Sequence, residues 1–163
     1  MKKSFLIALA ATVITQSAIA AEPATPDMFV TKASEAGMAE VELGKLAVQK
    51  GSSADVREFG QRMVTDHSKA GAELEAIALK KSLAPAKALS PAHAKALMEL
   101  KAKSGKDFDA AYAQQMVADH KEAVALFTSA TSLTDKDLAG FAAKTLPVLK
   151  EHQQHSMHLP GTH

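Results

Sequence analysis

Four long stretches of this chain repeat their apolar residues at about the helical period of 3.6, and each carries ionisable groups on or beside the apolar line. Projected at about 100° per residue, the first stretch aligns Phe29, Ala33, Ala36, Leu43 and Ala47, with Glu40 in the middle. The second aligns Val56, Phe59, Met63, Ala70, Leu74 and Ile77 around His67. The third carries Phe108, Tyr112, Met116, Ala123 and Phe127, flanked on opposite sides by Asp119 and His120. The fourth, Leu138, Phe141, Ala142, Thr145 and Leu149, is continued by His152. Amphipathic helices bury such stripes against one another, so the expected fold is all-α, and every helix brings a polar group toward the same interior.

Boundary signals set the helix lengths. The first runs from Pro26 or Asp27 to Lys50, with Asp27 as N-cap and Gly51 as the C-terminal stop. The second starts at Ser52 or Ser53 and fades near Lys80-Lys81-Ser82. The third begins about Lys106-Asp107 and ends near Thr131; the fourth begins near Thr134-Asp135 and ends near Met157, before Pro160-Gly161. Short links make each consecutive pair an antiparallel hairpin. Leu83 to Gly105 is too long for a turn, and Ser90-Pro91 opens a short crossover helix, Pro91 to Lys103. Two helical hairpins joined by such a connection predict a ferritin-like four-helix bundle, its second and third long helices parallel. The bundle is expected over residues 28–157, with loose segments at 21–27 and 158–163. Met63-Val64-Thr65-Asp66-His67 is echoed by Met116-Val117-Ala118-Asp119-His120, with Phe59 answered by Tyr112, which gives those two helices related roles.

Composition narrows what such a bundle can do. Among 163 residues there is no Cys, which excludes a disulfide scaffold, a thiol nucleophile and any thiolate-based zinc or iron–sulfur site. A formal charge of +1 gives no footprint for nucleic acid. Residues 1–20 read as a signal peptide: Lys2 and Lys3, an apolar run from Phe5 to Ile14, then Ala18-Ile19-Ala20 as the cleavage site. That run is too short to span a bilayer, and no later stretch reads as a transmembrane segment. A soluble exported protein is expected, periplasmic in a Gram-negative cell.

Burying an unpartnered polar group costs several kcal/mol, so polar groups on every stripe call for a compensating interaction. Either Glu40, His67, Asp119, His120 and His152 bond to one another, or some of them hold a metal ion. Met63 and His67 are i, i+4, as are Met116 and His120, so each thioether shares a face with its imidazole. Thioether with imidazole suits copper, Cu(I) above all. Asp66 and Asp119, beside the two histidines, complete the candidate metal set, and His155, Met157, His158 and His163 add ligands near the end. At about 5.4 Å per turn, Glu40, Met63 and Met116 are expected at one height, His67 and His120 about one turn below, and His152 about one turn above. Those heights favour two smaller sites, or one site beside a polar layer.

Other chemistry is absent. No Glu is followed by His three positions later, as a catalytic di-iron site in this architecture would require. Neither a phosphate-binding Gly-rich loop, a Gly-x-Ser-x-Gly elbow nor His-Glu-x-x-His occurs. Enzymatic activity is therefore not expected. Gly37, Gly44, Gly60 and Gly71 read as points where helices approach closely, and Pro147 as a kink in the last helix.

Several blocks are familiar together: Gly37 to Gly44, Met63 to His67, Phe108-Asp109 with Tyr112, and Leu146-Pro147 with Glu151-His152. They resemble a bacterial envelope family, domain of unknown function 4142 (DUF4142), over about Phe29 to His155. The resemblance implies a ferritin-like bundle exported to the periplasm and no established activity. The outer-membrane label often given to such proteins finds no support in alternating barrel strands or a lipid-anchor cysteine. A neighbouring ferritin-like family with Met/His copper sites extends the copper expectation by analogy. Two functions follow: a non-catalytic copper or other transition-metal binder, or a metal-independent envelope stress or protein-interaction module whose polar layer fixes helix register.

Overall fold

A computed structural model describes residues 25–162; the signal peptide read over residues 1–20, and His163, lie outside the described residues. Five helices follow in order: α1 (Pro26–Lys50), α2 (Ala54–Lys80), α3 (Pro91–Lys101), α4 (Gly105–Ala130) and α5 (Lys136–Ser156). Hydroxyl and carboxylate caps set the starts of α1, α2, α3 and α5. Thr25, not Asp27, caps α1: preceding Pro26 keeps it extended, and its hydroxyl accepts the Met28 amide at 3.3 Å. Ser53, Ser90 and Asp135 do the same for α2, α3 and α5. Gly51 ends α1 with φ −55°, outside the left-handed region of the usual glycine stop. It is there for space, since a side-chain carbon would lie 2.7 Å from the Ala47 carbonyl oxygen and 2.9 Å from Val56 Cγ1.

Two polar anchors fix the topology. Asp109, in the first turns of α4, accepts the Ser52 amide at 2.9 Å, the Ser52 hydroxyl at 2.5 Å and the Ser53 amide at 2.9 Å. The starts of α2 and α4 therefore lie together and the two helices run parallel. At the far end Lys81 bridges Asp135 and Asp137, 2.8 Å each, which sets α5 antiparallel to α2. α1 packs chiefly on α2 and α4 on α5; the hairpins then meet through α1 with α4 and α2 with α5, the ferritin-like arrangement. The crossover helix α3 lies across α1 and α4, with Leu100 as its buried residue. α5 runs through Pro147 and ends at Ser156. Beyond it the chain does not trail away as a tail: Leu159 is 1% exposed and packs into the core. No described helix is long and apolar enough to cross a membrane.

The core is two apolar blocks. One, at the α2–α5 ion-pair end, joins Phe29, Leu74, Phe127, Leu138, Phe141 and Leu149 among others. The other, at the Asp109 end, joins Leu43, Phe59, Met63, Tyr112, Met116 and Leu159. Along α1, α2 and α4, and from α5 on to Leu159, the sequence passes from one block to the other through a polar residue: Glu40, His67, His120 and His152, all buried.

Candidate metal centre

Three of those four residues converge. His67, His120 and His152 can each offer a ring nitrogen so that the three atoms lie within 4.8 Å of one another. Their ring centroids are 5.4 to 5.7 Å apart. His120 is 0% exposed, His152 2% and His67 9%. His152 thus stands level with the other two, not the two turns away that the sequence heights imply. The Lys81 bridge explains the correction. It matches Lys81 of α2 to Asp137 of α5, and fourteen residues back to His67 is nearly the same rise as fifteen on to His152, at about 1.5 Å per residue.

Hydrogen bonds decide which nitrogen of two rings keeps a free lone pair. His120 Nδ1 lies 2.9 Å from the Met116 carbonyl oxygen, which can only accept, so Nδ1 carries the proton and Nε2 a lone pair. His152 Nε2 donates to Asp66 Oδ2 at 2.9 Å, leaving Nδ1 as the lone-pair atom. The atoms left without partners are His67 Nε2, His120 Nε2 and His152 Nδ1. An outer hydrogen bond of this kind fixes tautomer and orientation in metal-ligating histidines. All three rings are also held in the ligating protonation state. Burial, aided by the neighbouring imidazoles, pulls His67 from 6.5 to about 3. Burial brings His120 to about 4 against the opposing Met116 bond, and lowers His152 despite Asp66.

The remaining predicted ligands fall around this trio. Asp66 backs His152, its side chain 37% exposed. Met63 and Met116 are fully buried in the Asp109-end block, beside Phe59 and Tyr112. Glu40 lies behind His120, its Oε1 3.6 Å from Nδ1, on the side away from the free nitrogen. Burial first, then Asp119, raises the Glu40 carboxyl well above its ordinary range. Asp119 turns from the trio toward α3: its Oδ1 accepts from Gln115 at 2.8 Å and lies 4.0 Å from His93 Nε2. His155 packs against Phe59 with centroids 5.0 Å apart. His93 and Glu35, 3.5 Å apart across the α1–α3 contact, escaped the sequence reading. They sit off the buried stripes, and only the path of the crossover helix brings them together.

A ferritin-like helical bundle with three neutral imidazoles facing one another across its core is the class that fold and site define. Residues 12–159 match the family described as Domain of unknown function (DUF4142), and the chain belongs to that family. Among solved structures the fold is similar to the crystal structure of a DUF305 fragment from Deinococcus radiodurans. The TM-score is 0.71 at 16% identity, over 83% of this chain and 95% of that one, a likeness of fold alone. No curated protein matches the chain.

Proposed function

We propose that this protein is exported to the periplasm and binds a transition-metal ion, copper by preference, through His67, His120 and His152, without catalysing a reaction. One observation carries the reading. His67, His120 and His152 can bring one ring nitrogen each within 4.8 Å of the others, each ring keeps a buried nitrogen without a partner, and two of the rings have their other nitrogen engaged. Lone pairs facing one another in a dry interior repel and forgo hydrogen bonds worth about 1–3 kcal/mol each; a bound cation removes both penalties. Neutral imidazoles suit copper, zinc, nickel or iron. Met63 and Met116, each one helical turn from a trio histidine, add the soft sulfur that favours Cu(I).

Titration of purified protein with Cu(I), Cu(II) and Zn(II) tests this, with metal content measured after dialysis. One ion per chain is expected, lost in His67→Ala and His120→Ala and kept in His155→Ala with His158→Ala. Asp66→Asn removes the acceptor behind His152 and is expected to weaken binding by about 10- to 100-fold. Binding that disappears only with His155 and His158 would reject the trio. No binding of any of these ions would leave the polar layer as a device for helix register, the interaction-module reading. Export is tested by a periplasmic product whose N-terminus is Ala21.

A further inference from the structure

A metal site buried between two apolar blocks needs a way in, and one face of the bundle offers it. α1, α3 and α4 enclose a groove of about 880 Å³ with Glu40 and Asp119 among its lining residues. Alanines at positions 36, 92, 96 and 118 leave it wide. Glu40 is 3% exposed, and its Oε2, like Asp119 Oδ2, has no hydrogen-bond partner. Buried carboxyl oxygens are ordinarily satisfied, so two without partners on residues that line one groove mark a place for a ligand. The other Glu40 oxygen, Oε1, lies 3.6 Å from the ring of His120. Glu40 therefore stands between the groove, which it lines, and the back of the His120 ring. Asp66 also reaches the layer, from the α2–α5 side, but its oxygen is taken by His152.

We infer that this groove is the entry path of the metal ion, which is held first by Glu40 and Asp119 and then passes to the three histidines. Glu35 and His93, 3.5 Å apart, stand where α3 meets α1 along that path. The inference rests on the trio being a metal site. It assigns Glu40 and Asp119 a transient role rather than a place in the final shell, since neither belongs to the converging set.

Stopped-flow loading with Cu2+, and release into EDTA, separate the two ideas. Glu40→Gln and Asp119→Asn replace a receiving carboxyl with an amide, and Ala118→Phe fills the groove. Each is expected to slow both loading and release by about tenfold or more, the scale of one lost binding partner or a blocked passage, with equilibrium affinity unchanged. If the wild type binds Cu2+ and all three variants load at its rate, the path is wrong and the site stands. If Glu40→Gln weakens affinity without slowing loading, Glu40 is a ligand and the relay is overturned. If the wild type takes up none of Cu(I), Cu2+ and Zn2+ at equilibrium, the fault lies with the trio itself.

Discussion

His67 and His120 sit so far from water that they refuse protons which the unfolded chain accepts. Their folded values, about 3 and about 4, lie below the ordinary 6.5, so the stability they confer is complete above that value. It is lost as pH falls from 6.5 toward 3, at up to about 1.4 kcal/mol per pH unit for each ring. Glu40 works the other way: its raised carboxyl stabilises the fold at low pH and less as pH rises through its folded value. For metal-free protein, the urea midpoint is expected to fall between pH 7 and pH 5, and to fall more steeply in Glu40→Gln. A flat profile in both would contradict the burial described. At this scale the stripes already pointed to Glu40, His67 and His152. They could not separate His120 from Asp119, which flank one stripe; in the fold Asp119 turns to Gln115 and His93, while the Met116 carbonyl holds the His120 ring.

Between elements, contact distance decides what a glycine is for. Where α1 crosses α2, a side-chain carbon on Gly44 would lie 2.7 Å from the Gly60 carbonyl oxygen, and one on Gly60 2.8 Å from Ala47 Cβ. Nothing lies within 4 Å of the same position at Gly37 or Gly71. Gly44→Ala and Gly60→Ala are therefore expected to destabilise by about 1–3 kcal/mol, through backbone that must move. Gly71→Ala is expected to stabilise by about 0.5–1 kcal/mol, through helix propensity alone. Thermal or urea unfolding of the three single variants distinguishes them. All four glycines look alike in a helical pattern, because sequence spacing records the face of a helix and not the distance to its neighbour. The same blindness put His152 two turns from its partners. Helix boundaries came within a few residues, since caps are local chemistry, whereas relative heights depend on long-range ties such as Lys81 to Asp137 and Asp109 to Ser52.

For the whole molecule, an ion that binds the folded chain alone stabilises it by about 4 kcal/mol at a thousandfold excess over its dissociation constant. Connectivity, helix number and crossover were legible because four amphipathic stripes and one long link permit few arrangements. The imidazole layer divides the hydrophobic core, since the apolar residues above and below it form two separate blocks. Native-state hydrogen exchange on metal-free protein is expected to resolve two cooperative units, divided near residues 40, 67, 120 and 152. Loading the ion should merge them into one. The seam between two oily halves would then act as a coupling whose engagement reports, through amide protection at both ends of the bundle, whether its cargo is aboard.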